Sequence, residues 1–279
     1  MVKTKIMKHS VLYSALLLCL CSCATHYSWS KIEADASRTG VTPATADNAV
    51  QALGRMEEGV YYAPSGRIYS GGATPKLAEI LISSQPDMVQ LKQVIAYAPK
   101  SMKSHHPQSE LSNFAADCVV KGVEKATDRK VDLSIINFGG IRCAVPQGDV
   151  LLDDIVSMFP FKNYLVYVEV SGARLREIFT QMAGRKVEAI GGNIEVTVSD
   201  HQLLSLKVNG EEVSDDKTYG IGSIDFLLQG GDKIHLADGA EQVVRTDVLL
   251  RDCILEKIYA LSSEGLPFEY HLDNRIQVK

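Results

Sequence analysis

Apolar positions along the chain follow two periods and switch between them repeatedly. From Ser109 onward, Leu111, Phe114, Ala115, Cys118, Val119 and Val123 recur at helical spacing behind a serine suited to an N-cap, which predicts a helix. Residues 131–137 follow as a short apolar strand, and 153–159 as a short helix. Tyr164-Leu-Val-Tyr-Val-Glu-Val170 is β-branched and aromatic, hence a strand. Over 171–182 the spacing is helical again, with Leu175, Ile178, Phe179 and Met182 on one face. Strands are predicted at 193–198 and 203–208, the second closed by a tight-turn signal at Asn209-Gly210. Residues 218–227 predict a further strand, 243–261 a long amphipathic helix and 268–278 a closing strand. Before Ser109 the pattern is weaker, with a helix over 75–83 and a strand over 93–98. Strands and helices alternate without internal repeats or a long block of either. The fold class is therefore α+β, a mixed β-sheet layered with helices.

The remaining segments carry other signals. Residues 1–22 have a basic start at Lys3, Lys5 and Lys8, a short apolar core over 11–20, and then Leu20-Cys21-Ser22-Cys23. The core is too short for a permanent membrane span and reads as an export signal. Cys23 sits where lipid attachment needs a thiolate, so a lipoprotein held at a bacterial membrane and facing the periplasm is expected. The alternative is an ordinary cleaved signal with incidental cysteines. Residues 23–72, rich in Thr, Ala, Ser and Gly, read as a tether of low order, and 73–108 as an N-terminal extension of a domain over 109–279.

A formal net charge of −5 with no basic run argues against nucleic acid as a partner. Apart from Cys23, the chain after the export signal has Cys118, Cys143 and Cys253, odd in number and without Cys-x-x-Cys spacing, and Cys118 and Cys253 read as small, mostly buried apolar residues. The histidines are scattered, and His105-His106 before a proline reads as loop rather than metal ligand.

Three loops carry the candidate chemistry. In Asn137-Phe-Gly-Gly-Ile-Arg142 a glycine pair at a strand end lets backbone approach a ligand, and the arginine offers a planar fork to phosphate. Phe159-Pro-Phe-Lys-Asn163 places Phe161 in a proline turn, where it either faces a ligand or plugs the core. Asp225-Phe-Leu-Leu-Gln-Gly-Gly-Asp232 runs a strand into a double-glycine turn. Asp232 there either accepts from ribose hydroxyls or caps its own backbone. Two phenylalanines, an arginine, an amide and an acid form a nucleotide-shaped inventory, because aromatic faces stack bases and polar groups fix sugar and phosphate.

These motifs resemble the C-terminal domain of the 5′-nucleotidase and UDP-sugar hydrolase family. Asn-Phe-Gly-Gly-Ile-Arg resembles the family's Asn-Gly-Gly-Gly-Ile-Arg, Phe-Pro-Phe-Lys-Asn a Leu-Pro-Phe-Gly-Asn type, and Asp-Phe-Leu-Leu-Gln-Gly-Gly-Asp the family's Asn-Phe-Leu-Ala-Asn-Gly-Gly-Asp. Val170-Ser-Gly-Ala-Arg-Leu-Arg-Glu177 and Asp216-Lys-Thr-Tyr219 resemble its strand-to-helix corner and its next strand entry. The resemblance runs from about Ser109 to Val278. It implies a base sandwiched by Phe161 and Phe226, ribose on Asp232, and Asn137 and Arg142 on the phosphate side.

Three departures qualify the resemblance. The family's Arg-Glu-x-Asn-x-Gly-Asn is here Pro107-Gln-Ser-Glu-Leu-Ser-Asn113, which keeps Asn113 and loses a phosphate-side arginine. Phe138 replaces a glycine, crowding the loop or adding an apolar wall. The family's metallophosphatase motifs (Asp-x-His, Gly-Asn-His-Asp and His-x-His) do not occur. No cofactor and no metal ligand is therefore expected in this chain, and divalent metals only in a partner metallophosphatase chain. The expectation is the nucleotide- or nucleoside-recognising subunit of a split 5′-nucleotidase. A non-catalytic nucleoside-binding lipoprotein and an adhesive lipoprotein that kept only the fold remain open beside it.

Overall fold

The computed structural model describes residues 48–279; the expected export signal, Cys23 and the expected tether up to residue 47 lie outside the described residues. The described chain begins with α1 (Ala49–Leu53), a three-stranded antiparallel meander of β1 (Arg55–Glu57), β2 (Val60–Tyr62) and β3 (Ile68–Tyr69), and α2 (Ala73–Ser83). The low-order expectation for 48–72 is thus corrected for this stretch. Short strands carry little periodic signal, and the meander draws on Tyr61 stacked 6.0 Å from Tyr69 and on the Tyr61 hydroxyl donating to the Leu53 carbonyl at 2.8 Å.

β4 (Val94–Ala98) pairs antiparallel with β6 (Gly148–Leu151). Between them lie α3 (Glu110–Thr127) and β5 (Leu133–Ile136). The Ser109 hydroxyl accepts from the Ser112 amide at 3.0 Å and starts α3, while Asp128 ends it in the left-handed region. The apolar face of α3 is buried at Leu111, Phe114, Val119 and Val123 as the spacing predicted. α4 (Leu152–Met158) then precedes β7 (Tyr164–Ser171), α5 (Gly172–Ala183), β8 (Ala189–Gly191), β9 (Ile194–Ser199), β10 (Gln202–Val208), β11 (Glu211–Glu212) and β12 (Thr218–Ile224).

Residues 243–261 are not one helix. β13 (Gln242–Leu249) is an edge strand on β7, and α6 (Leu250–Ser263) begins only afterwards. Val243, Val244, Thr246 and Val248 are β-branched, stiff at χ1 and better placed on a pleated surface, and here they override the helical spacing of the apolar residues. The closing strand β14 (Ile276–Val278) is far shorter than 268–278. Phe268 is buried against Phe114 at 4.8 Å, and the chain between is fixed by side chains instead of a ladder. Arg275 bridges Asp117 at 2.8 Å and Asp273 at 2.5 Å.

The main sheet has the order β13-β7-β12-β5-β8, and a second sheet runs β11-β10-β9-β14. In the main sheet β12 and β5 are parallel, while β7 is antiparallel to β12 and β8 is antiparallel to β5. With α3 and α5 laid against these strands, this is the α+β, mixed-sheet architecture expected. The register has one consequence for function. The segments leaving β5 and β12 and the segments entering β7 and β8 all emerge at one edge of the sheet, since Ile224 pairs with Leu165 and Ile136 with Ala189.

Candidate functional site

Every loop singled out in the sequence reaches that edge. β5 ends in Asn137 and a short 3-10 turn, Phe138–Gly140; β12 ends in a second turn, Asp225–Leu227, and runs on to Asp232. The loop entering β7 carries Phe161. Its joint with β12 is fixed by the Tyr164 amide donating to Asp225 Oδ1 at 3.1 Å.

The closest contact among the five candidates joins Asn137 and Asp232, 95 residues apart. Asn137 Nδ2 donates to Asp232 Oδ2 at 2.6 Å. A carboxylate only accepts, so this orientation of the amide is fixed by its partner. Asn137 Oδ1, by contrast, is buried with no hydrogen-bond partner. Such an acceptor costs about 1–3 kcal/mol. The Asp232 side chain bonds across the site to Asn137 instead of capping its own turn.

Arg142 and Phe161 form the other half. The Arg142 guanidinium lies 5.9 Å from the Phe161 ring centroid, and its Nη1 donates to the Gly139 carbonyl at 3.1 Å. Phe161 is 47% exposed, which excludes its core-plug reading, and Phe226 is 46% exposed. Neither ring is held in a dry interior, where most phenylalanines of this fold lie.

The turn that presents Asp232 is backbone-limited. Gly230 has φ +98°, and a side chain there would run into the His235 ring. A Cβ on Gly231 would sit 2.3 Å from the Phe226 carbonyl oxygen and 2.6 Å from its ring. Two glycines are what let the Phe226 ring fold over the turn. Asp232 and Lys233 follow at φ +47° and +61°, a left-handed run that non-glycine residues seldom adopt.

Several contributors were not visible in the sequence. Glu188 Oε2 accepts from the Phe138 amide at 2.7 Å. Burial pushes its carboxyl above the ordinary value and the Asp232 charge adds to this, while the Phe138 amide opposes. Arg185 donates to the carbonyls of Asp232 and Lys233 at 3.3 and 3.1 Å. Together with Met182, Lys186 and Ile234, these residues line a recess of about 290 Å³ beside Asp232. Their entry to the site depends on β8, a three-residue strand with no periodic signature. The crowding expected of Phe138 resolves as a wall. The ring is buried against His106 at 4.0 Å, and burial holds that imidazole below its ordinary value.

Asn113 does not join the site; its amide donates to Gln108 and Asp273 at 3.3 and 3.4 Å. Cys118 and Cys253 are buried as expected, whereas Cys143 is exposed. Among the described residues no group of three or more His, Cys, Asp or Glu side chains is placed to hold a metal. No described helix is long and apolar enough to cross a membrane.

The chain is thus an α+β domain with a carboxylate, an amide, a guanidinium and two half-exposed rings at one sheet edge. The sequence model of the family described as "5′-nucleotidase, C-terminal domain" matches residues 90–238, and the chain belongs to that family. Protein UshA of Escherichia coli is 28% identical over 139 residues, covering 48% of this chain and 25% of that protein. The trifunctional nucleotide phosphoesterase YfkN of Bacillus subtilis is 30% identical over 141 residues, 45% of this chain and 9% of that protein. The crystal structure of the 5′-nucleotidase precursor of Thermus thermophilus is similar in fold, with a TM-score of 0.64 at 19% identity, covering 77% of this chain and 45% of that one. The chain thus spans about a quarter, or less, of the length of the curated relatives it matches.

Proposed function

We propose that the chain is the nucleoside-recognising subunit of a split 5′-nucleotidase. The base stacks between Phe161 and Phe226, ribose hydroxyls donate to Asp232, and Arg142 faces the phosphate. The observation that carries this reading is the Asn137–Asp232 bond of 2.6 Å, which ties the first loop to the third at the shared sheet edge. Asn137 Oδ1, with no protein partner, adds unmet polar demand at the same point. Half-exposed rings on the neighbouring loops are the expected state of stacking faces before a base arrives.

Hydrolysis of the phosphate monoester belongs, in this reading, to a separate metallophosphatase chain. No set of ligands for its metals is present among the described residues. The export signal and a lipid on Cys23 complete the proposal, placing both chains on the periplasmic face of a bacterial membrane.

The test is reconstitution: this chain is mixed with a purified exported metallophosphatase, and AMP hydrolysis is followed by phosphate release. A mixture faster than the phosphatase alone supports the reading, and one no faster overturns the split enzyme. Adenosine binding without such activation would leave a nucleoside-binding lipoprotein.

A further inference from the structure

We propose that Arg185 is the positioning residue for Asp232, acting as a clamp on the turn that presents the carboxylate; the inference rests on the nucleoside reading above. α5 ends at Ala183, and the chain then turns at the shared sheet edge before entering β8. From there one guanidinium reaches three carbonyls. Nη1 donates to Asp232 O at 3.3 Å, Nη2 to Lys233 O at 3.1 Å and Nε to Gln181 O at 3.5 Å. The planar fork therefore spans two successive peptide units of the turn and anchors them to the last turn of a rigid helix.

The turn needs such an anchor. Gly230, Asp232 and Lys233 stand at φ +98°, +47° and +61°. The left-handed region is one that non-glycine residues seldom adopt. Without a counterweight, Asp232 relaxes toward the right-handed basin and its carboxylate swings away from Asn137. The bond between those side chains fixes only the carboxylate end. Arg185 holds the backbone end, so the acid is fixed at both. A lysine places a single point charge there and cannot bridge two carbonyls as a fork.

Arg185 is exposed and packs no core, which makes its removal a local perturbation. The experiment compares the full chain with Arg185→Ala and Arg185→Lys. It uses adenosine and adenine titrations by calorimetry, and hydrogen exchange across residues 230–236 without ligand. Arg185→Ala is expected to raise the adenosine Kd about threefold to tenfold, the scale of two partly exposed charge-assisted hydrogen bonds, and to leave adenine unchanged. Exchange of the turn amides should accelerate in the same variant, with Arg185→Lys lying between. Unchanged exchange overturns the clamp. So does an equal loss for adenosine and adenine, which reports collapse of the loop and not placement of the acid. If the unmodified chain binds neither ligand, the nucleoside reading fails by itself, while the exchange comparison still decides whether Arg185 holds the turn.

Discussion

Asp232→Asn is the sharpest perturbation of the proposed ribose contact, because it changes charge and little else. Asparagine is among the few residues that tolerate the left-handed φ of +47° found here, so the turn keeps its shape. The new amide oxygen still accepts from Asn137 Nδ2, so that bond persists at lower strength. What disappears is the ionised acceptor offered to the ribose. A hydrogen bond to a charged group contributes about 1.5–3 kcal/mol when buried. Asp232 is exposed, and solvent screening lowers that figure. A loss near 1 kcal/mol remains, or about a fivefold rise in the adenosine Kd. Calorimetric titration with adenosine and adenine reads it directly, since adenine has no sugar. Equal losses for the two ligands would refute the assignment of Asp232 to ribose, as would no loss for adenosine.

Four further outcomes are expected. Phe161→Ala and Phe226→Ala should each weaken adenosine and adenine alike, by about 1–3 kcal/mol for a stacked base, and a variant with unchanged affinity for both removes that ring from the sandwich. Divalent metal added to this chain alone should yield no phosphate from AMP; measurable turnover would contradict the division of labour. Arg275→Ala should destabilise the chain in urea unfolding, by less than the about 3–5 kcal/mol of a fully buried pair, since Asp117 keeps the Gly192 amide and the Tyr270 hydroxyl as donors and Asp273 is 39% exposed. Glu188→Gln should flatten the pH dependence of stability. The Glu188 carboxyl is held above its ordinary 4.5, so its contribution is fully present below that value and lost as pH rises through the folded value. The glutamine keeps an acceptor for the Phe138 amide, and thermal melts at neutral pH should therefore show a Tm equal to or above that of the unmodified chain.

Much of this site was legible in the sequence because its chemistry sits directly after strong elements. Asn137 follows a fully buried strand and the Asp225–Asp232 run follows one buried at all but its first residue, so each loop stands at the end of something definite. Glu188 and Arg185 had no such marker. They precede a strand of three residues, and their role arises only when β8 lies antiparallel on β5. Register is a tertiary property, set by what else the face buries. The misreading of 243–249 has the same root in reverse. Val243 and Val244 with Leu249 and Leu250 satisfy a helical template locally, but the open edge of β7 offers the β-branched residues a ladder.

The topology also explains why the nucleoside side and the phosphate side of the proposed pocket differ in rigidity. Asn137 is buried at the end of a central strand, Asp232 is tied to it across the site, and Arg185 anchors the turn behind. Each of these contacts joins segments far apart in sequence, so the arrangement is specified by the sheet as a whole. Arg142 has no comparable support. Its side chain is exposed, donates to the carbonyl three residues earlier and rests over Phe161. An exposed arginine on a local contact still has rotamer freedom of about 2 kcal/mol to lose when it meets a phosphate. In the proposed division of labour a second chain would bring the charges that hold the phosphate and would order Arg142 in doing so. The nucleoside affinity of this chain by itself should then owe little to Arg142. An Arg142→Ala variant that binds adenosine normally, yet responds weakly to a metallophosphatase in the AMP assay, is the pattern this asymmetry demands; lost adenosine binding would place the guanidinium on the wrong side of the pocket.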